Sequence, residues 1–216
     1  MAVGKSAGLL KKYDLFVFDW DGTLNDMRIT MRINESLKRA LGLWNKDNSI
    51  KDFTHVNYDL KKQLKNEELK NNVMTYLFDI FLNLSMPRLH KDSVKMLKEL
   101  RSHGKKVAIF SNGRGGRVIR ELRILKITDY FDTIVSARDI DALKPDPAGL
   151  KLIISSMKVK PARCIYMGDM SDDIITAKLA HIASCGLADG FDSFHTLKSL
   201  HPTHIFKSIE EFRNSF

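Results

Sequence analysis

The sequence predicts an α/β fold: a three-layer, Rossmann-like parallel sheet with helices on both faces, plus a helical cap inserted after the first strand. Three observations carry this expectation. Short, nearly continuous apolar runs alternate with helix-length amphipathic patterns, as in strands buried on both faces and joined by crossover helices. Several of these runs end in a small polar cluster, and the carboxyl ends of parallel strands are where such sheets bind ligands. One long stretch, 25–88, carries helical periodicity and no convincing strand.

The first strand is read at 13–19 (YDLFVFD). A minimal crossover to the next strand needs about a dozen residues, and 25–88 far exceeds that with many lysines, among them Lys61, Lys62, Lys65 and Lys70. The expected division is therefore a sheet-bearing core of 1–24 and 89–216 with a mostly helical insert at 25–88. A helix follows at 92–103, with Val94, Leu97 and Leu100 on one face and Gly104 placed to end it. Strand 106–111 leads to a helix opening near Gly115, and strand 132–136 follows. Asp146 reads as the N-cap of helix 147–157, with Pro147 at its first position. Strands at 164–168, 183–187 and 204–206, and helices at 171–180 and 209–213, complete the alternation.

Composition removes whole classes. The 216 residues contain 44% hydrophobic and 28% charged side chains, ordinary for a globular chain long enough to bury its own core. The most apolar stretch, 74–84, is broken by Asp79 and Asn83, short of the roughly 18–20 residues of a membrane span. The apolar part of 1–12 is too short for a signal peptide. Cys164 and Cys185 form no CxxC pair; Cys164 reads as a buried free thiol, and a reducing, cytoplasmic compartment is expected. Lys and Arg number 35 against 26 Asp and Glu, a charge of +9, which suits anionic partners without specifying one.

Four polar clusters carry the chemistry. Asp19 and Asp21 flank Trp20 at the end of the first strand, and strand alternation turns both carboxylates to one side and Trp20 to the other. Gly22 then permits a tight turn. Ser111, Asn112 and Gly113 follow the second strand and precede a helix, where a hydroxyl and backbone N–H groups suit a phosphate oxygen. Lys144 stands in a loop stiffened by Pro145 and Pro147. Asp169, Ser171, Asp172 and Asp173 follow another strand; acidic oxygens suit Mg²⁺, although Asp169 or Ser171 could equally cap the next helix.

In this order and placement, Asp19–Leu24, Ser111–Gly113, Lys144–Pro145 and Gly168–Asp173 resemble the four motifs of the haloacid dehalogenase (HAD) superfamily. The run from Asp173 to Ala180 resembles phosphoglycolate-phosphatase-like members, and the insert corresponds to their helical C1 cap. The resemblance implies a Mg²⁺-dependent phosphatase of small phosphorylated metabolites. Asp19 would be the nucleophile and form an aspartyl-phosphate; Asp21 would serve as acid and then base. Mg²⁺ would bind Asp19, the backbone carbonyl of Asp21, and Asp169. Ser111, Asn112, Gly113 and Lys144 would hold the phosphoryl group, with Thr23 and Asp173 in support. An aspartate at position 21 argues for ester chemistry over dehalogenation, because a leaving alcohol needs a proton and a halide does not.

Met27 stands where similar sequences often carry Ser or Thr, and His181 where a glycine commonly closes the helix. A phosphomutase of the β-phosphoglucomutase type is the near alternative, and a non-catalytic binder of phosphate or nucleic acid the distant one. The sequence carries no zinc-finger or aromatic RNA-binding motif, which argues against nucleic acid; nothing in it fixes the oligomeric state. Of Arg114, Arg117, Arg120 and Arg123, most read as solvent-facing, and Arg114 alone stands close enough to Ser111 to be a candidate substrate contact. His55 falls within the cap, and Gly4-Lys5-Ser6 lacks the earlier glycine and strand of a P-loop.

Overall fold

The apolar runs pair side by side as parallel strands. The computed structural model describes residues 8–32, 86–138 and 140–216. Among them, six strands form one sheet: β1 (Leu15–Phe18), β2 (Lys106–Ser111), β3 (Thr133–Ser136), β4 (Cys164–Gly168), β5 (Ala183–Leu187) and β6 (His204–Phe206). Their order is β3-β2-β1-β4-β5-β6, and every neighbouring pair is parallel. This is the doubly wound order, which reverses direction at β1 and opens a crevice at the strands' carboxyl ends. In register, Val17 of β1 lies opposite Ala108 on one side and Tyr166 on the other.

Alternation along β1 feeds two cores. Phe16 and Phe18 join Val107, Ile109, Ile165 and Met167 on one face of the sheet. Leu15 and Val17 join Ala108, Phe110 and Tyr166 on the other. All four residues of β1 are buried, so the run is apolar throughout rather than every second residue. Helices cover both faces. Packed on the first are α1 (Leu9–Lys12), α2 (Ser93–Ser102), α3 (Gly115–Ile124) and α7 (Ile209–Arg213), through Leu9, Met96, Leu97, Leu100, Val118, Leu122 and Phe212. On the second lie α4 (Ala148–Met157) and α5 (Ser171–Leu179), through Leu150, Ile153 and Ala177; α6 (Phe194–Ser199) packs beside β5 and β6.

The expected elements form with small shifts at their ends. β1 begins at Leu15 because Tyr13 closes α1 and Asp14 is turned toward Arg163, whose Nη2 donates to it at 2.7 Å. Helix α4 begins at Ala148, one residue later than expected, with Pro147 as its cap residue. Asp146 still serves that end, its Oδ1 accepting from Ala148 N at 2.8 Å. Gly104 lies just past α2 at a φ of 66°, the left-handed closure its position suggested. Two short helices, α1 and α6, have no counterpart among the expected elements.

The chain divides into two compact units, 1–26 with 87–216 and 27–86. Most of the expected cap, including His55 and the lysine cluster, lies outside the described residues, as does Gly4-Lys5-Ser6. Both cysteines are free and buried. Among the described residues, no helix is long and apolar enough to cross a membrane.

Candidate active site

The carboxyl ends of β1, β2 and β4 and the loop before α4 bring the four polar clusters together. Asp19 extends β1 by one ladder bond, its N–H donating to Met167 O at 2.8 Å. Its carboxylate is buried and accepts from Lys144 Nζ at 2.8 Å, while the same ammonium donates to Asp173 Oδ1 at 2.7 Å. Lys144 is therefore shared between the first and fourth clusters.

Asp169 completes the group. Ligand oxygens of Asp19, Asp169 and Asp173 lie within 4.8 Å of one another, and all three residues are buried. Thr23 Oγ1 donates to Asp169 Oδ1 at 2.6 Å, and Phe191 N to Oδ2 at 2.8 Å, fixing that carboxylate. Asp173 takes Tyr166 OH at 2.8 Å on Oδ1 and Met170 N at 3.0 Å on Oδ2. Met170, rather than Asp169 or Ser171, is the cap residue of α5, so Asp169 is left for the cluster.

Backbone shape makes this approach possible. Gly22 has a φ of +87°, and a Cβ there would stand 2.3 Å from Asp169 Oδ2. A Cβ on Gly168 would stand 2.1 Å from Asp173 Cγ. Side chains at either position would push a carboxylate out of the group.

Electrostatics follow from burial. Desolvation pushes the Asp19 carboxyl up to about 7, against the pull of Lys144. Burial also raises Asp169 well above the usual carboxylate range, with the neighbouring Asp19 and Asp173 adding to it. Although burial opposes it, the Asp173 and Asp19 carboxylates hold Lys144 above the ordinary lysine range. Three close carboxylates against one ammonium leave a negative excess. The donors are all hard oxygens, which fits a small divalent cation such as Mg²⁺.

The second cluster is a cradle. Ser111 is buried at the end of β2, and its Oγ accepts from Gly113 N at 3.0 Å. Asn112 Oδ1 accepts from Lys144 N at 3.0 Å, tying the cradle to the lysine loop. Asp21 lies outside the group of three carboxylates and pairs with Arg117. Arg117 Nη1 donates to its Oδ1 at 3.0 Å, Arg117 Nη2 makes a short contact with Oδ2, and Asn25 Nδ2 donates at 3.3 Å.

Residues 16–187 match the family model of haloacid dehalogenase-like hydrolases. The chain belongs to that family. A phosphoglycolate phosphatase of Vibrio vulnificus is 26% identical over 91% of this chain and 93% of its own length. A pyrophosphatase of Bacillus velezensis is 22% identical over 93% of this chain and 95% of its own. Among solved structures, a predicted phosphoglycolate phosphatase from Haemophilus somnus superposes with a TM-score of 0.75 at 21% identity, covering 94% of this chain and 96% of that one. A HAD-superfamily hydrolase from Ehrlichia chaffeensis gives 0.64 at 24% identity, covering 94% and 95%. The sheet of this HAD-like hydrolase is thus the one its relatives share, and its named curated relatives are phosphatases.

Within the hydrolase, Asp19, Lys144, Asp169 and Asp173 meet in one group, with Thr23 against Asp169 and Asn112 against the lysine loop. The Asp21 carboxylate forms a separate group with Arg117. That overturns the expectation for Arg117: its side chain is 8% exposed, held by Glu121 and Asp21, whereas Arg114 is exposed. The Arg-x-x-x-Glu spacing of 117 and 121 was the available signal, but on an exposed helix the same pair is a solvated ion pair. Tyr166 was hidden inside an apolar strand run.

Proposed function

We propose that this HAD-like hydrolase is a Mg²⁺-dependent phosphatase of small phosphorylated metabolites, working through an aspartyl-phosphate on Asp19. The observation that carries the reading is the buried Asp19–Lys144–Asp173 contact beside Asp169. A carboxylate can attack an anionic phosphoryl group only where positive charge offsets the repulsion. Asp19, Asp169 and the Asp21 carbonyl would hold Mg²⁺, which would supply part of that charge.

The chain's own groups supply the rest. An Asp19 carboxylate oxygen bonds to phosphorus as the ester P–O bond breaks, and Asp21 gives its proton to the departing alkoxide. Lys144 Nζ, at 2.8 Å from Asp19 Oδ1, would meet the transferred phosphoryl oxygens. Ser111 Oγ and the N–H groups of Asn112 and Gly113 hold the remaining oxygens. Water then attacks the acyl phosphate, passing its proton to Asp21 as Asp19 is released. Thr23 and Asp173 keep Asp169 and Lys144 aimed.

Residues 25–88 act as the cap that selects the substrate; the division of the chain at 26/27 and 86/87 supports a separate body there. Two buried free thiols suit a reducing, cytoplasmic setting. Phosphate release from a panel of phosphomonoesters, with Mg²⁺ and with EDTA, tests the reading. Release is expected only with the metal, and Asp19→Asn is expected to abolish it. Metal-independent release, or an active Asp19→Asn protein, overturns it. Product analysis on hexose phosphates separates hydrolysis from transfer within the sugar.

A further inference from the structure

We infer that Arg117 and Glu121 are positioning residues that aim the Asp21 carboxylate, through a closed ring of contacts running Asp21–Arg117–Glu121–Trp20. The inference rests on the acid–base reading of Asp21.

Both oxygens of Asp21 are taken by one guanidinium, Nη1 on Oδ1 at 3.0 Å and Nη2 on Oδ2. A planar fork matched to a carboxylate fixes its rotation as well as its position. Arg117 is itself held from behind: Nη1 also donates to Glu121 Oε1 at 3.0 Å and Oε2 at 3.1 Å, one helical turn along α3. Glu121 is buried, and Trp20 Nε1 donates to its Oε2 at 2.6 Å. Trp20 is fully buried and adjoins Asp21 in the chain, so the ring closes on the backbone that carries both reacting aspartates.

The ring is graded in exposure. Side-chain accessibility is 2% at Glu121, 8% at Arg117 and 23% at Asp21, so the carboxylate is the end that meets the crevice. The guanidinium passes directly over Gly113: a Cβ there would stand 2.6 Å from Arg117 Nη2, and 3.2 Å from both Asp21 Oδ2 and Ser111 Oγ. Asp21 is thereby set beside the phosphate cradle, where a departing ester oxygen would be. A buried ion pair is weak evidence for stability, and a geometric role accounts better for its placement. General acids lose their effect when displaced by a fraction of an ångström.

The test is a leaving-group series measured as kcat/KM, which reports the step in which Asp21 gives its proton. The esters are p-nitrophenyl phosphate, whose phenolate departs without help, and glycerol phosphate, whose alkoxide does not. Arg117→Lys keeps the charge and loses the fork. Glu121→Gln keeps an acceptor for Trp20 and removes the charge behind the guanidinium, so the question stays answerable if one variant fails to fold.

Each variant is expected to lose about 10- to 100-fold on glycerol phosphate, within the range a positioned acid contributes, and only a few-fold on p-nitrophenyl phosphate. The loss falls on kcat more than KM. Arg117→Lys added to Asp21→Asn should cost nothing further. Equal losses on both esters, a loss confined to KM, or additivity with Asp21→Asn overturns the inference alone. A folded wild-type protein inert toward both esters overturns the phosphatase reading and the inference with it.

Discussion

Tyr166 donates toward Asp173 from within β4, and its ring lies 5.8 Å from Lys144 Nζ. The hydroxyl also stands 3.0 Å from Phe110 O, so its one hydrogen serves two acceptors in a buried setting. Tyr166→Phe is expected to cost about 1 kcal/mol of stability in urea unfolding, the net worth of such a bond. A few-fold drop in kcat is expected with it, as Asp173 loses a donor and Lys144 loses part of its alignment. The sequence shows this residue only as one more apolar strand position, because strand periodicity reports burial and not what a phenol finds at its far end. Asp19, Asp21 and Asp169 were legible for the opposite reason, as charged residues at the ends of apolar strands, whereas Lys144, in a loop, was legible only through its place among the four motifs. Arg117 was not, since a helix-face arginine is read as solvated unless the carboxylate it reaches, 96 positions away, is known.

Helix α5 shows what an element can reveal and conceal. Its closure has Ile182 N donating to Ala177 O at 3.1 Å and His181 N to Lys178 O at 3.0 Å, with His181 at a φ of 56°. That is a left-handed helix end, the geometry that favours glycine. The sequence marked His181 as an unusual occupant of that position, and the structure gives the physical reason. His181→Gly is expected to raise stability by up to about 1 kcal/mol, read as a higher midpoint in urea; a lower midpoint would mean that the imidazole makes a contact worth more than the backbone strain. Helix α6 escaped notice because six residues carry too little periodicity to register. Ser193 caps it, its Oγ accepting from Thr196 N at 3.1 Å. β2, β4 and β5 were legible because burial on both faces leaves an unbroken apolar signature.

At the scale of the molecule, the net charge of +9 coexists with a buried cluster of carboxylates, so the basic excess lies elsewhere and serves at most to draw anions inward. The acidic centre sets a pH dependence. Folding raises Asp19 from the ordinary carboxylate range to about 7, so the folded state binds the proton more tightly than the unfolded one. The stability this contributes is complete below the unfolded value near 4 and is lost as pH rises toward about 7. Asp14 runs the other way: a hydrogen bond from Arg163, with help from Lys105 and against burial, lowers it to about 2, so its contribution fades only on acidification below the ordinary range. In EDTA the Tm should therefore fall between mildly acidic and neutral pH, and Asp19→Asn should flatten that slope. Saturating Mg²⁺ should restore the Tm, stabilising the fold by about 2.7 kcal/mol at a hundred times its Kd. A metal-free Tm that is level across this range would contradict the assignment.

The central place of β1, bonded to β2 on one edge and β4 on the other with both faces covered, bears on how the molecule breathes. Amides in such a strand exchange with solvent only through global opening, while loops and terminal helices open at far smaller cost. The Asp19 amide, donating to Met167 O, belongs to that slowest class. Sub-global openings can expose the crevice while the Asp19 backbone stays closed. Hydrogen exchange should place Asp19 with the strand interior, although it sits at the strand's end.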